Sequence, residues 1–491
     1  MQTADAKFAA EVQSLLDQGF ARRALEVADR WSTKSRQQVG PWLARSSANT
    51  RLGRIDAADR DLEVAERLAP NDDRVIFLRG LTDQQLARLD ASIKRLRPLT
   101  GKPGPYSTEA WMGLVDSLWI AGRCAELADE VARPGPWTQD PRHALHTARS
   151  VSHTDPARAV TELTAVMQSG VAPFVRRLAG FDAVRLLDRG GKHREAFDLA
   201  QRTHAMTGSP FDLDAFLQPV LDLRMRTPGA AAGRPRARPE VPVVDGLAMF
   251  VSVPRSGTTL LEQMLDAHPQ VSGIGEYDGL RFIGEATQSL GFSGRSIEQL
   301  SAKDAIQLQR EYLSDALRRR RASAPWMVDK NLRAWRLIPE LAAVLPGTRC
   351  FHVVRDPRDT AISILLSYFH PHSDGWTASL DSIRRVLEAV ESALPDALAS
   401  HGLRHETIVY ERLVDDPAGE ASRCLRLLGL ELAEGVLRPE SNPRSVFTLS
   451  HAQVQAPINT SSIGRWKNYE WAFGSEWDAL AARHEARRAT G

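Results

Sequence analysis

Leu247-Ala-Met-Phe-Val-Ser-Val-Pro-Arg-Ser-Gly-Thr-Thr-Leu-Leu-Glu-Gln-Met-Leu265 reads as a strand, a tight loop and a helix. Leu247 to Val253 is a short continuous apolar run, the pattern of a parallel strand buried on both faces. Pro254 to Thr259 then forms a loop of small residues that opens a helix. Such a loop presents free backbone N–H groups and the positive end of the helix dipole, which suits a phosphate or sulfate. Gly257 permits close backbone approach. Arg255 adds a fixed positive fork, and Ser256, Thr258 and Thr259 add hydroxyl donors. The GK[ST] element of a Walker loop is missing. Taken alone, the stretch is an anion-binding loop with no nucleoside triphosphate assigned to it.

The surrounding sequence alternates apolar runs with helical patterns. Trp326–Val328, Cys350–Val354 and Thr407–Tyr410 read as further strands, and 258–268, 301–321 and 335–345 as helices. The alternation predicts an α/β domain with a mostly parallel sheet covered by helices. Ligands of such sheets bind at the carboxyl ends of the strands. The chemistry is therefore expected just after residues 253, 328 and 354. The second of these positions carries Asp329-Lys330-Asn331, and the third carries Arg355-Asp-Pro-Arg-Asp-Thr-Ala-Ile-Ser363.

The N-terminal half has a different period. A glycine followed five residues later by a small or apolar residue recurs at Gly19/Ala24, Gly53/Ala58, Gly122/Leu127 and Gly191/Ala196. Around Gly53 the match is fuller. Trp42, Gly53, Ala58, Leu62, Ala65 and Pro70 have the order and spacing of a tetratricopeptide repeat. The glycine falls at the turn between two antiparallel helices, the small residue lets them approach, and the proline ends the second. The expectation is a helical repeat array over 1–225, a linker at 226–243 centred on the Pro-, Gly-, Ala- and Arg-rich segment 228–240, and the α/β domain over 244–491.

Composition narrows the function classes. The 491 residues are 43% hydrophobic and 25% charged, with a net charge of +2, ordinary for a soluble globular chain and without the basic stripe of a nucleic-acid binder. The run Arg318 to Arg321 reads as a solvated helix face. Cys124, Cys350 and Cys424 form no CxxC pair and no metal-ligand spacing, so reduced thiols and no metal are expected. The start of the chain lacks the basic and apolar regions of a signal peptide, and no window reaches the length of a membrane helix. A cytoplasmic location is the expectation.

PRSGTTLLEQML at 254–265 resembles the 5'-phosphosulfate-binding loop of the sulfotransferase superfamily. The form is that of tyrosylprotein sulfotransferases and bacterial repeat-containing sulfotransferases, whose fold is a nucleotide-kinase-like, P-loop-type α/β sandwich. The resemblance spans roughly residues 245–475. It implies 3'-phosphoadenosine-5'-phosphosulfate as donor, leaving as adenosine 3',5'-bisphosphate, with no metal. Arg355 and Ser363, eight residues apart, resemble the family's 3'-phosphate element. The segment Ser461-Ser-Ile-Gly-Arg-Trp-Lys-Asn-Tyr469 resembles its terminal loop, which makes Arg465 and Lys467 3'-phosphate candidates and Trp466 a wall for adenosine. Tyr410, at the end of the fourth apolar run, joins the donor-binding set. Glu276 matches the glutamate base of tyrosylprotein sulfotransferases, a role that partial burial assists by raising a carboxyl pKa. Lys330 matches the family lysine that stabilises the transferring sulfonate and bridging oxygen, with Arg255 sharing that role. His268 and His352 lie inside the helix and strand patterns and read as structural.

The resemblance implies transfer of a sulfuryl group to a hydroxyl of a protein tyrosine or a carbohydrate, with the repeats gripping the acceptor. Two other readings compete. One is a P-loop-type kinase, which the missing GK[ST] disfavours. The other is a repeat-based interaction scaffold with a degenerate transferase domain.

Overall fold

The computed structural model describes residues 2–206, 211–225, 240–292, 294–442 and 457–490. The chain divides into two compact units, Met1–Leu186 and Leu187–Gly491. No described helix is long and apolar enough to cross a membrane.

The first unit is an array of helical hairpins. Helices Gln2–Asp17 and Ala21–Lys34 turn at Gly19, and Val39–Arg51 and Ile55–Leu68 turn at Gly53. Ser107–Ile120 and Cys124–Ala132 turn at Gly122. Each of these glycines sits in the left-handed region, which relieves the turn of a Cβ clash. The pair Asp73–Gln85 and Leu89–Thr100 makes the same turn at Ala87, φ +60°, a copy that the glycine pattern does not reveal. Ala24, Ala58 and Leu127, five residues after three of the turn glycines, are fully buried between helices. Hydrogen bonds between residues 33 apart tie successive hairpins together. Examples are Arg149 Nη1 to Asp116 Oδ1 at 2.9 Å and Gln84 Nε2 to Ser117 Oγ at 3.0 Å.

The second unit is an α/β sandwich. Its strands are β1 (Leu247–Phe250), β2 (Val271–Gly275), β3 (Trp326–Asp329), β4 (Arg349–Val354) and β5 (His405–Val409). All pair in parallel, in the order β2-β3-β1-β4-β5. β1 is central and fully buried, which is why its run is uniformly apolar. The chain visits β2 and β3 on one side of β1 and then crosses to β4 and β5 on the other. The carboxyl end of β1 is thus a topological switch point, the place where open α/β sheets bind their ligands.

Several boundaries differ from the sequence reading. β1 ends at Phe250, and residues 251–257 form the loop. β2 has no counterpart in that reading, because Val-Ser-Gly-Ile-Gly offers no apolar run. The last strand ends at Val409, and Tyr410 begins the helix Tyr410–Asp415.

Helices His193–Ala205 and Leu213–Met225 group with the second unit, whereas the sequence places them in the repeat array. Their side chains explain it. His204 Nε2 bonds the Leu365 carbonyl at 2.9 Å, and Phe216 packs against Trp335 and Trp376. Most of the expected linker, residues 226–239, lies outside the described residues.

The arginine run is more than a solvated face. Arg319 donates to the Ile274 carbonyl at 3.3 Å, and Arg321 pairs with Asp266 at 3.0 Å and donates to the Asp266 and His268 carbonyls. Together they brace β2 from outside, at the turn where its own sequence is weakest.

Candidate active site

The loop after β1 is tied to the neighbouring strand β4 and to itself. Ser252 Oγ donates to the Phe351 carbonyl and accepts from the Val353 N–H at 2.7 Å, locking the loop to β4. Ser256 Oγ donates to the Val253 carbonyl at 2.9 Å. Gly257, at φ +105°, is the N-cap of helix Thr258–Asp266, and no side chain caps that helix start. By contrast, Asp356 caps Pro357–Leu365 and Ser301 caps Ala302–Arg319. A Cβ on Gly257 would stand 2.3 Å from Tyr410 Cδ2, so the loop lies directly on the tyrosine ring. Thr258 and Thr259 are buried. Arg255 is a non-glycine residue at φ +70°, a strained conformation that aims its guanidinium.

That guanidinium meets the end of β4. Arg255 Nε donates to Ser363 Oγ at 2.9 Å, and Arg355 Nη1 reaches the Arg255 carbonyl at 3.3 Å. Arg355 also lies over the Tyr410 ring, 4.9 Å from its centroid. Burial pulls the Arg255 pKa down to about 10, and the charges of Arg355 and Arg465 add to the effect. Arg255 and Arg355 thus meet at the loop, with Arg465 near enough to act on Arg255 through its charge, and such a concentration of guanidinium groups suits an anion.

Glu276 opposes them, and Arg255 feels its charge as well. It follows β2, while Lys330 follows β3. Their side chains form an ion pair at 2.7 Å. Lys330 is 1% exposed and the Glu276 side chain 36%, so the carboxylate is partly open to solvent while the ammonium is buried. Neighbouring Asp329 points elsewhere. Burial pushes its carboxyl up to about 8, and the hydroxyl of Tyr312 donates to it at 2.6 Å. Buried and bonded to Tyr312, it is a structural acid. No cluster of metal-ligating side chains occurs among the described residues.

The terminal segment lies across the β4 end. Asp359 accepts the Gly464 N–H at 2.7 Å and the Trp466 N–H at 2.8 Å. Arg355 Nη2 donates to the Ser462 carbonyl. Trp466 lies beneath Arg358, whose guanidinium is 3.6 Å from the ring centroid, so a purine would meet a cation-covered indole there. Arg465 pairs with Asp188 at 2.6 Å, and Tyr469 donates to the other Asp188 oxygen at 2.6 Å. Lys467 is exposed. The structure thus gathers Arg255, Ser256, Gly257, Thr258, Thr259, Arg355, Ser363 and Tyr410 directly, and Arg465 through its charge. Trp466 and Lys467 stand on the adjoining loop.

Two functional supports escape sequence reading. Asp188 lies 277 residues from Arg465, with no local motif to announce it. Glu411 accepts the Asp356 N–H at 2.9 Å and pairs with buried His484 at 3.0 Å, bracing the β4 end from the C-terminal helix. Within RDPRD, Asp356 caps the helix while Asp359 anchors the terminal loop. His268 and His352 are structural. Burial lowers the His352 pKa to about 3, and His268 accepts the Gln270 N–H.

Residues 248–434 match the family profile described as "Sulfotransferase family". This segment belongs to the sulfotransferase superfamily. Among similar proteins, the sulfotransferase segment aligns with protein-tyrosine sulfotransferase 1 of Danio rerio at 25% identity, over 45% of this chain and 65% of that protein. Nodulation protein NoeE of Sinorhizobium fredii is 26% identical over 45% of this chain and 60% of its own length. The chain thus spans less than two thirds of these relatives. The solved sulfotransferase domain from the curacin biosynthetic pathway aligns over 49% of this chain and 98% of that domain, at 21% identity and a TM-score of 0.36.

Proposed function

We propose that this protein transfers a sulfuryl group from 3'-phosphoadenosine-5'-phosphosulfate to a hydroxyl acceptor, with Glu276 as base. The observation that carries the reading is the convergence of an uncapped helix start, Arg255, Arg355 and Ser363 on one side of the β1 carboxyl end with the Lys330–Glu276 pair on the other. One side suits a donor with two separate phosphate groups, and the other suits a hydroxyl nucleophile.

The donor supplies an activated sulfuryl group and leaves as adenosine 3',5'-bisphosphate. The loop N–H groups of residues 257–259 and Arg255 hold the 5' side, and Arg355, Ser363 and the loop carrying Arg465 and Lys467 hold the 3' phosphate. Tyr410 and Trp466 flank the nucleoside. In the transfer the Lys330–Glu276 pair opens. Glu276 takes the acceptor's hydroxyl proton as the acceptor oxygen bonds to sulfur and the sulfur–bridging oxygen bond breaks. Lys330 and Arg255 neutralise the charge that builds on the bridging oxygen. A glutamate base, which the resemblance to tyrosylprotein sulfotransferases implies, favours a peptide or protein tyrosine over a carbohydrate, with the helical hairpins as the surface that grips it.

A labelled-donor assay against tyrosine peptides, lysate proteins and glycans tests this. Label entering the peptide fraction is expected. Glu276→Ala should lower turnover by roughly 100-fold or more while still binding adenosine 3',5'-bisphosphate. Full activity of that variant would overturn the base assignment, and no transfer to any acceptor would overturn the function.

A further inference from the structure

The Lys330–Glu276 pair poses a problem. Lys330 is almost wholly buried, and a buried ammonium is stable only when paired. In the proposed reaction Glu276 leaves it to take a proton. The donor's bridging oxygen gains its charge only as the bond breaks, so a standing partner within the protein is needed to keep the ammonium in place until then.

Glu262 stands where that task requires it. It lies on the helix that the anion loop opens, one turn past Thr258, and is fully buried. Its Oε2 is 3.9 Å from Lys330 Nζ, and its Oε1 accepts the Gly275 N–H at 3.0 Å. The Gly275 carbonyl in turn accepts the Lys330 N–H at 3.0 Å. One carboxylate therefore touches both strand ends that carry the pair, the backbone before Glu276 and the side chain of Lys330. Asp329, the other buried acid nearby, is turned toward Tyr312. Glu276 is on a partly exposed turn, whereas Glu262 is fixed in a helix packed on the sheet.

We propose that Glu262 is the positioning residue for Lys330: a permanent counter-ion, placed between the anion loop and the strand ends, that holds the ammonium on the reacting centre while Glu276 is engaged with the acceptor. The catalytic part of this rests on the sulfotransferase reading above; the anchoring part does not. It also assigns a task to the loop helix beyond phosphate binding. The helix that receives the donor's anion carries, one turn further on, the group that aims the cation used on the same anion.

Glu262→Gln in the full-length chain keeps the volume and the oxygen that accepts Gly275 N–H, and removes the charge. Two readouts follow. In the protein alone, acetylation of Lys330 by an amine-reactive ester, followed by mass spectrometry, is expected to be several times faster than in the wild type. Exposed Lys467 serves as an unchanged internal control. In the transfer assay, kcat is expected to fall roughly 10–100-fold, the scale seen when a group orienting a site's ligand is removed. The KM for the donor and the affinity for adenosine 3',5'-bisphosphate should stay within error. Introduced into Lys330→Met, the same change should cost nothing further, because its effect runs through the lysine. If the glutamine variant does not fold, Glu262→Asp takes its place, with faster Lys330 labelling expected from its shorter reach. Unchanged labelling of Lys330, or an additive loss in the Lys330→Met background, overturns the proposal. If the wild type transfers no sulfate at all, the functional reading falls, and the labelling result still decides whether Glu262 anchors the lysine.

Discussion

Asp359→Asn is the perturbation that separates the two jobs of the RDPRD segment. Asp359 is buried and accepts two backbone N–H groups of the terminal loop, from Gly464 at 2.7 Å and Trp466 at 2.8 Å. An asparagine keeps one acceptor oxygen and turns an amide donor toward the other N–H. One hydrogen bond to a charged group is lost, worth roughly 1.5–3 kcal/mol. Every 1.4 kcal/mol is tenfold in an equilibrium constant, so the balance between docked and undocked loop moves by about 10- to 150-fold. Apparent affinity falls only by the fraction of loop that undocks. Adenosine 3',5'-bisphosphate binding should therefore weaken by about tenfold, below the full shift, because Arg355 still holds the Ser462 carbonyl. Calorimetric titration gives the affinity, and limited proteolysis at 457–472 reports the loop. The helix cap from Asp356 remains intact, so thermal stability should change little. Unchanged affinity together with unchanged proteolysis would refute the anchoring argument. Weakened binding with an undisturbed loop would move the role from the loop to Arg355, which lies 3.6 Å from Asp359.

Other substitutions test other parts of the account. Gly257→Ala forces a Cβ at φ +105° to within 2.3 Å of Tyr410. Left-handed backbone costs roughly 1–2 kcal/mol and overpacking roughly 1–3, so denaturant unfolding of the second unit should show a loss of a few kcal/mol along with lost nucleotide binding; wild-type stability would contradict the close approach. Ala87→Gly relieves a left-handed alanine at a hairpin turn and should stabilise the first unit by up to roughly 1 kcal/mol, net of glycine's greater unfolded-state entropy; a loss would place the strain elsewhere. The Glu411–His484 pair sets a pH dependence. Burial opposes the imidazolium, but the Glu411 contact together with the charges of Asp356 and Glu391 outweighs it and raises His484 above its ordinary 6.5. Burial likewise opposes the Glu411 carboxylate, but His484 and the Asp356 N–H hold it below 4.5. The histidine's contribution is complete below pH 6.5 and is lost as pH rises through its folded value. The glutamate's is complete above pH 4.5 and is lost as pH falls. His484→Gln should flatten the decline of Tm above pH 6.5, and parallel curves for the two proteins would remove the pair from the account.

Much of the fold was legible because its signals are local. β1, β3 and β4 are continuous apolar runs, and each ends in polar residues that a buried strand cannot otherwise explain. The hairpin turns announce themselves wherever glycine supplies the left-handed residue, and Ala87 escapes notice because alanine bears the strain instead. β2 is hidden for the opposite reason. Its glycines carry no apolar pattern, and its place in the sheet is secured by Glu262 from the preceding helix and by Arg319 and Arg321, which are distant in sequence. The anion loop and the Arg355–Ser363 spacing stand out as motifs, but what connects them does not. The Arg255–Ser363 bond spans 108 residues and the Arg465–Asp188 pair spans 277. Helices 193–225 follow the hairpin pattern, yet they pack with the α/β unit, since helical periodicity says which face is apolar and not what covers it.

Calorimetric titration with adenosine 3',5'-bisphosphate, adenosine 5'-phosphate and ATP–magnesium in parallel tests the central claim most directly. A site built for two separate phosphate groups should bind the bisphosphate about 100-fold more tightly than the monophosphate, the worth of one charge-assisted contact set of roughly 3 kcal/mol. Arg355→Ala should erase most of that difference. Equal affinity for the two adenosine phosphates, or tight ATP–magnesium binding with none of the bisphosphate, would contradict the account.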